Sequence, residues 1–437
     1  KILRSKSTTP LREVDRFAER AGLDPRDRAL LRHLVGTEVR RRGTLRALVQ
    51  KFARGSPSPD VTAHLRLGLT QLFFLDRVPP HAAVSETVRA TADTLGIGRG
   101  RYVNGVLRTA LRERLPDHSG DPRLDVVGRP WHLKEPVFRD PRTHPLLWAE
   151  DALNLPAALA KGWVRRHGTQ RTFDLARLAL EESPLSLVAL GVARETLAAE
   201  LAALDVPTVP GHHLQVLLAP ASETQRALDS PAFREGRATV QGETALCAAE
   251  LLDVQPGMRV LELCAAPGGK TAVLARAGAE VFAVDVSATR LARVRSTLER
   301  LAPQARVHTL AADAGGGLDP AETFDAALVD APCSNTGVLG QRPGARWRYG
   351  PARQRELCAL QARLLEAAAA HVRRGGRLVY STCSLEPEEN GQGVRAFLEQ
   401  HVHWHLVREC EALPAPADRG GPIDGGYAAL LERRADG

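Results

Sequence analysis

Two cysteines stand in segments whose composition suits covalent chemistry. Cys333 lies in DAPCSNTG (residues 330–337), and Cys383 lies in STCSLEPEEN (residues 381–390). Each segment follows an apolar run typical of a β-strand and contains proline and polar residues, so we expect both cysteines at the same edge of a sheet. A thiolate is a strong nucleophile, so a cysteine in such a loop can attack an electrophilic carbon. The alternative is a small buried apolar side chain, which is the more frequent role of a single cysteine.

A third segment, ELCAAPGGKT (residues 262–271), places a Pro-Gly-Gly turn between a predicted strand and a predicted helix. Glycines let backbone amides approach a ligand closely, and a helix N-terminus offers unpaired N–H groups. We therefore expect a nucleoside cofactor here, at the carboxyl edge of a sheet, with a tight strand-to-helix turn as the alternative. The candidate cofactor-binding residues of this loop are Cys264, Ala265, Ala266, Pro267, Gly268, Gly269 and Lys270.

Three aspartates follow further predicted strands. Asp285 ends the strand of VDVS, where a carboxylate can accept hydrogen bonds from both ribose hydroxyls. Asp313, in AADA, could bond the adenine amino group, and Asp330 would face the same crevice. The alternative for Asp285 and Asp313 is a helix cap. We predict that all three bind the cofactor.

The elements that position these residues form an alternating pattern from about residue 241 onward. Helical stretches separate most of the apolar runs, so residues 241–437 are predicted to form an α/β Rossmann-like, doubly wound sheet. The runs are Arg259–Leu263, Val281–Val284, Val307–Leu310, Phe324–Val329 and Leu378–Tyr380.

The N-terminal part has a different pattern. Residues 1–120 show apolar stripes at helical spacing and are predicted to form an all-α bundle, with Asp27 capping one helix. Residues 121–145 are rich in Pro, Asp and Arg and are predicted to be a linker. Residues 146–240 are predicted to form a small α+β module. Its expected strands are Leu185–Val188, Val206–Val209 and Leu214–Leu218.

Charge is distributed unevenly along the 437 residues. Residues 1–120 hold 23 basic and 12 acidic side chains, a net charge of +11, whereas the remainder has a net charge of −3. A basic module on a near-neutral body favours a polyanionic partner such as RNA or DNA, with a solvated basic surface as the alternative. The chain has no long apolar run, so we expect no membrane span. Lys1 to Pro10 lack an apolar core, so we expect no secretory signal. Because the chain does not begin with Met, we expect a trimmed N-terminus.

The six cysteines form no CxxC pair and have no metal-ligand spacing with the 14 histidines, so we expect no metal site. This pattern is typical of free thiols in a reducing cytoplasm. Four of the cysteines are predicted to be small buried apolar side chains: Cys247, Cys264, Cys358 and Cys410.

In these segments the chain resembles the RNA cytosine-C5 methyltransferases, and most of all the RsmB branch, which modifies small-subunit ribosomal RNA. The glycine loop, the DAPC segment and the TCS…PEEN segment match nearly letter for letter and in family order. LRLGLTQLFFLDRVPPHAAVSETV (residues 65–88) and RYVNGVLRTALRE (residues 101–113) resemble the NusB-like RNA-binding bundle of that branch. The resemblance covers residues 25–115 and 240–395.

The resemblance implies S-adenosylmethionine as cofactor, 16S rRNA as partner, a monomer and no membrane. It implies a class I methyltransferase sheet in which Cys383 attacks carbon 6 of the cytosine and Cys333 assists product release. Asp330 would hydrogen-bond the N3/N4 edge of the base. Lys270 would lie near cofactor and cysteine, where its charge could lower the thiol pKa. Asn335 and Glu386 depart from the family pattern, as do residues 340–348.

Two other functions remain open from the sequence. One is a related methyltransferase that acts on tRNA, and the other is a non-catalytic RNA-binding factor of ribosome assembly. The basic N-terminal bundle speaks against the first, and the intact Cys333, Cys383, Asp330 and Lys270 speak against the second. A DNA cytosine methyltransferase would carry its nucleophile in the DAPC-like loop and would lack the TCS segment.

Overall fold

The computed structural model describes residues 10–313, 316–417 and 421–435. Its contacts divide the chain into two compact units. The helical unit comprises Lys1–Leu180 and Arg342–Gly350, and the sheet unit comprises Glu181–Gln341 and Pro351–Gly437. The sequence predicted domain boundaries at residues 120, 145 and 240. The two units instead meet after residues 180, 341 and 350 of the chain. Residues 1–9, which make up most of the segment judged to lack a secretory signal, lie outside the described residues.

The helical unit begins with six helices whose apolar stripes face one another. They are α1 (Pro10–Arg20), α2 (Pro25–Arg40), α3 (Arg42–Phe52), α4 (Pro59–Phe74), α5 (Pro80–Leu95) and α6 (Ile97–Glu113). Leu45, Leu65 and Leu107 are fully buried in a core shared by α3, α4, α5 and α6, as the helical spacing predicts, whereas α1 and α2 pack in a smaller cluster of their own. The predicted cap was wrong by one turn, because Asp24 accepts the hydrogen bond from the backbone N–H of Asp27 and α2 starts at Pro25.

The predicted linker is folded against these helices. Strand β1 (Arg114–Pro116) pairs antiparallel with β2 (Trp131–Leu133). Val126 and Leu133 are each 1% exposed and pack in the helical core, which proline-rich composition alone did not indicate. Helices α7 (Pro145–Asp151) and α8 (Ala157–Leu178) complete this part of the unit.

A short 3₁₀ helix, Pro343–Arg348, also belongs to the helical unit, although the sequence places it within residues 241–437. Its Arg346 is fully buried and donates hydrogen bonds to three backbone carbonyls, those of Pro343, Asn154 and Ala179. Trp347 donates its indole N–H to the carbonyl of Val39 over 2.7 Å. These contacts join residues far apart in sequence, so local patterns could not predict them.

The sheet unit opens with a small antiparallel sheet in the strand order β4-β5-β3-β6. The predicted strand Val206–Val209 is observed only at its end. The elements are β3 (Leu185–Ala189), α9 (Arg194–Ala202), β4 (Val209–Pro210), β5 (Val216–Ala219), α10 (Thr224–Leu228), α11 (Pro231–Arg234) and β6 (Ala238–Val240).

A seven-stranded sheet follows, in the order β12-β15-β11-β10-β7-β8-β9. The five strands β11, β10, β7, β8 and β9 run parallel to one another. Strand β15 pairs antiparallel with both β11 and β12. The elements are α12 (Glu243–Glu250), β7 (Arg259–Leu263), α13 (Gly269–Arg276), β8 (Glu280–Asp285), α14 (Ala288–Leu301), β9 (Val307–Ala311), β10 (Phe324–Asp330), α15 (Pro351–Ala370), β11 (Val372–Thr382), α16 (Gly391–Gln400), β12 (Trp404–Ala412), β13 (Ala415–Ala417), β14 (Gly421–Ile423) and β15 (Gly426–Arg433).

Both faces of this sheet are buried, which explains the continuous apolar runs of its strands. Val260 and Leu328 face a core shared with α12, α13 and α14. Leu261 and Val329 face the opposite core, shared with α15 and α16. The predicted Rossmann-like sheet is therefore confirmed. Among the described residues, no helix is both long and apolar enough to cross a membrane.

Candidate active site

The two cysteines of the DAPC and TCS segments meet at the carboxyl edge of the sheet. Strands β10 and β11 are parallel neighbours in which Asp330 pairs with Ser381, so the loops that follow them leave the sheet side by side. The Sγ atom of Cys333 lies 3.2 Å from the Sγ atom of Cys383. Cys333 is buried and Cys383 is partly exposed, so the Cys383 thiol is the more accessible of the two to a substrate.

The surroundings of Cys333 favour its protonated form. The hydrogen bond with Cys383, together with burial, raises the pKa of the Cys333 thiol well above its usual value. Cys333 therefore stays protonated at neutral pH and can donate to the Cys383 sulfur. Asn335 contacts both residues, since its Nδ2 donates to the Cys333 carbonyl and its Oδ1 accepts from the Cys383 thiol over 3.3 Å.

Asn335 occupies the left-handed region, with φ at 62°. Asparagine tolerates this conformation better than most side chains, which explains how it can stand at this point of the loop although it departs from the family pattern. The side-chain amide of Asn335 also joins the two cysteine loops, because it hydrogen-bonds to a residue of each.

Lys270 and Asp330 form an ion pair at the same edge. The Lys270 Nζ lies 2.7 Å from Asp330 Oδ2, and the Lys270 side chain is only 11% exposed. Ser381 donates its hydroxyl to the other oxygen of Asp330 over 3.3 Å. Lys270 stands in the first turn of α13, so the pair joins the glycine loop to the end of β10. The effect of Lys270 on a cysteine stays a prediction.

The glycine loop turns sharply between β7 and α13. Cys264 has φ at 63° and Gly268 has φ at 101°, both in the left-handed region. A Cβ atom on Gly268 would lie 3.0 Å from the Cα of Val294, so this position tolerates only glycine. Backbone bonds close the loop, from Ala265 N to the Val284 carbonyl and from Gly268 N to the Ala265 carbonyl.

The predicted carboxylates lie after successive strands. Asp285, at the end of β8, is 2% exposed, accepts from the backbone N–H of Ala266 and pairs with Arg290 at 3.1 Å. Asp313 follows β9 and is exposed. Pro267 is held by the Thr297 hydroxyl, which donates to its carbonyl over 2.8 Å. The loop and the carboxylates thus line one edge of the sheet.

Three buried polar residues around the glycine loop were missed by the sequence analysis. Among the described residues, both amide atoms of Gln241 find no hydrogen-bond partner, and Oε2 of Glu262 and Oγ1 of Thr271 find none beyond one another. Gln241 is 7% exposed, and a Cβ atom on Gly269 would lie 3.8 Å from its Cδ. Such unsatisfied groups fit a polar ligand that carries both donors and acceptors, as S-adenosylmethionine does. An ionisable residue, Glu262, within the apolar strand RVLEL was the signal that could have revealed this.

The remaining cysteines correct one expectation. Cys247 and Cys410 are exposed, whereas Cys264 and Cys358 are partly buried, so burial was the wrong expectation for the first two. Burial raises the pKa of Cys264 to about 12, which keeps it a neutral thiol beside the loop. Among the described residues, no group of three His, Cys, Asp or Glu side chains could hold a metal ion.

Comparisons with known proteins agree with this architecture. The profile of a family described as 16S rRNA methyltransferase RsmB/F matches residues 249–415, and that of the NusB family matches residues 4–112. The ribosomal RNA small subunit methyltransferase B of Serratia proteamaculans is 33% identical, over 94% of this chain and 92% of the relative. The protein of the same name from Xanthomonas campestris pv. campestris is 36% identical, over 95% and 88% respectively.

A solved structure extends the similarity over nearly the whole chain. The crystal structure of PH0851 is 25% identical, with a TM-score of 0.73 over 95% of this chain and 93% of its own. Both the helical and the sheet parts are thus shared with known proteins. With its cysteine pair, its glycine loop and relatives matched over most of their length, this chain belongs to the RsmB family of ribosomal RNA small subunit methyltransferases.

Proposed function

We propose that this protein methylates carbon 5 of a cytosine in 16S rRNA through a covalent adduct between Cys383 and carbon 6 of the base. The observation that carries the proposal is the pair of sulfur atoms 3.2 Å apart, at the sheet edge that also bears the glycine loop. A buried protonated thiol beside a partly exposed one supports two different roles for them.

The residues around the glycine loop would hold S-adenosylmethionine. The backbone of the turn from Cys264 to Gly269 would approach the cofactor closely, Asp285 would bind its ribose and Asp313 its adenine amino group. The buried polar atoms of Gln241, Glu262 and Thr271 would supply further hydrogen bonds. The bound cofactor would supply the methyl group as an electrophilic carbon.

The side chains of this chain would act on the base in sequence. The Cys383 sulfur adds to carbon 6, which makes carbon 5 nucleophilic enough to take the methyl group. A base takes the proton from carbon 5, and the electron pair of that carbon–hydrogen bond restores the 5,6 double bond as the carbon–sulfur bond breaks and the Cys383 thiolate leaves. Cys333 assists this release, and Asp330, oriented by Lys270 and Ser381, hydrogen-bonds the N3/N4 edge of the cytosine. The target base must leave any stack to reach this edge.

Two cysteine variants test the assignment. Cys383→Ser should lose methyl transfer to rRNA by at least about a thousandfold, because a hydroxyl is a far weaker nucleophile at neutral pH. Cys333→Ser should instead accumulate a covalent protein–RNA adduct that survives denaturing electrophoresis. Full activity in Cys383→Ser would refute the assignment of the nucleophile.

The RNA substrate can be tested independently of the mechanism. Mapping of 5-methylcytosine in 16S rRNA and tRNA, with and without this gene, should show loss at a cytosine of 16S rRNA. Loss in tRNA would support the tRNA enzyme, and no loss in either RNA would support a non-catalytic assembly factor. We propose in addition that the protein acts as a monomer in the cytoplasm, which size-exclusion chromatography and cell fractionation would check.

A further inference from the structure

A buried carboxylate lies directly beneath the two cysteine loops and has no part in the chemistry described above. Glu389 ends the short 3₁₀ turn Pro387–Glu389 and is 0% exposed. Its Oε2 accepts from the backbone N–H of Ser334 over 2.8 Å and from Nε2 of Gln361 over 3.0 Å. Its Oε1 accepts from the hydroxyl of Ser384 over 3.2 Å.

These partners are the immediate neighbours of the two thiols. Ser334 follows Cys333, and Ser384 follows Cys383. The two serine hydroxyls also lie within 3.0 Å of each other. The carboxylate therefore joins the loop after β10 to the loop after β11 at the positions next to the sulfur atoms.

Gln361, on α15, fixes the other side of the Cys333 residue. Its Nε2 donates to the carbonyl of Pro332 over 2.9 Å as well as to Glu389. The residue before Cys333 is thus bonded to Gln361 and the residue after it to Glu389, and these two buried side chains are bonded to each other. A loop held on both sides of one residue leaves that residue little freedom to move.

The backbone around Glu389 is itself fixed by the strand that precedes Cys383. Tyr380, on β11, donates its hydroxyl to the backbone carbonyl of Glu389 over 2.7 Å. Thr382 donates to Asn390 Oδ1, and Asn390 Nδ2 donates to the carbonyl of Ser384 over 3.0 Å. A buried carboxylate is costly unless its oxygens are satisfied, and here three donors satisfy them. An apolar side chain would fill the same space without joining the loops.

We propose that Glu389 is a positioning residue, whose carboxylate holds the Cys333 and Cys383 loops at the separation that lets the two sulfur atoms contact one another and act on one base. The inference rests on the proposed function in that both thiols serve a single reaction. Because a displacement of about 1 Å in a reacting group can lower a rate about a hundredfold, loss of this link should affect turnover more than binding.

Kinetic constants of three variants test the role. Glu389→Ala should lower kcat about 10- to 100-fold, while KM for S-adenosylmethionine and for rRNA stays within about threefold. Glu389→Gln keeps an acceptor oxygen for Ser334 and Gln361, so it should recover kcat to within about fivefold of wild type. Glu388→Ala is the matched control, since this adjacent carboxylate is exposed and should leave kcat unchanged.

A measurement that needs no methyl transfer reports the sulfur separation directly. Phenylarsine oxide condenses with two neighbouring thiols, forming two arsenic–sulfur bonds and releasing one water, and peptide mapping identifies the bridged pair. Wild type, Glu389→Gln and Glu388→Ala should bridge Cys333 to Cys383 with similar affinity, whereas Glu389→Ala should do so at least about tenfold more weakly. Equal bridging in Glu389→Ala, or no bridging in wild type, would overturn the inference.

A second variant covers the case in which Glu389→Ala does not fold. Gln361→Met removes the bonds to Glu389 and to Pro332 but keeps the volume of this buried side chain, so it should lower both kcat and arsenical affinity by a smaller factor. Wild-type values for both quantities would contradict the role. Failure of the proposed function would give a different result. Methylation would then persist in Cys383→Ser, whereas the affinity for the arsenical would still depend on Glu389.

Discussion

At the scale of single residues, two ionisable side chains at the sheet edge, Glu262 and Cys333, are kept in their protonated forms. Glu262 lies within β7 and is 1% exposed. Burial, more than any neighbouring charge, raises the pKa of its carboxyl from the ordinary 4.5 to about 8. Cys333 is similarly kept as a thiol, through its hydrogen bond to Cys383 and through burial. Neutral groups can donate hydrogen bonds, which a carboxylate and a thiolate cannot.

The raised pKa of Glu262 predicts how stability changes with pH. The folded protein keeps this carboxyl protonated up to about pH 8, whereas the unfolded chain ionises it near pH 4.5. The folded state therefore binds the extra proton between these values, and its stability falls as pH rises through that window. Glu262→Gln cannot ionise, so it should be more stable than wild type at pH 8 by roughly 1–3 kcal/mol, with little difference near pH 5.

Urea unfolding of the ligand-free protein at pH 5 and pH 8 would measure this difference. Glu299→Gln is the matched control, because Glu299 lies exposed on α14. It should show no comparable dependence on pH. A Glu262→Gln variant whose stability parallels that of wild type over the whole range would contradict the assignment.

At the scale of elements, Gly268 and Gly269 have different roles in the glycine loop. Gly268 combines a φ of 101° with a Cβ position only 3.0 Å from the backbone of Val294, so it is required by the turn itself. Gly269 begins α13, and a Cβ atom placed on it would lie 3.8 Å from Cδ of Gln241. Its lack of a side chain keeps space open beside unsatisfied polar atoms.

Alanine substitutions should distinguish the conformational role of Gly268 from the ligand-binding role of Gly269. Gly268→Ala should destabilise the sheet unit by roughly 1–3 kcal/mol, because alanine meets both an unfavourable φ and a backbone contact. Gly269→Ala should unfold at nearly the wild-type temperature but bind S-adenosylmethionine more weakly, by about tenfold or more. Thermal unfolding and calorimetric titration of both variants would check this. Equal losses of stability in the two variants would argue against separate roles.

At the scale of the whole molecule, the charge is concentrated in the first 120 residues, whose net charge is +11. Helix α6 contributes Arg101, Arg108 and Arg112, which are exposed. Their spacing places them on one face of the helix. Within the described part of the chain, none of the three forms an ion pair with a carboxylate. An exposed cationic row of this kind suits the phosphates of RNA.

Replacing these three arginines by glutamine should weaken binding of 16S rRNA and make it less sensitive to salt. Each lost phosphate contact lowers the slope of log affinity against log salt by about 0.7 to 0.9, so three lost contacts should lower it by about 2 to 3. Filter binding over a range of KCl concentrations would measure the slope. Arg353, Arg355 and Arg363, exposed on α15, provide a control variant with the same change in charge. An unchanged slope in the α6 variant would exclude this face from RNA contact.

Several features of the chain could be predicted because they depend on neighbours in sequence. A continuous apolar run predicted the strand Arg259–Leu263, and apolar stripes at helical spacing predicted the helices through Leu65 and Val103. The loops after β7, β10 and β11 were predicted to meet, because parallel strands bring their carboxyl ends to one edge. Their family resemblance indicated a methyltransferase, and the relatives confirm that family.

Other features depend on contacts between residues distant in sequence, which only the tertiary structure decided. The sequence placed Cys333 and Cys383 at one edge, but the register of β10 against β11 set their sulfur atoms 3.2 Å apart. It could not show that Glu389 joins the two loops or that residues 342–350 belong to the helical unit. Local patterns encode which element forms, whereas burial and hydrogen-bond partners arise only when elements pack together. The sequence thus identified the two cysteines as candidates for covalent chemistry, and the fold set the distance between their sulfur atoms.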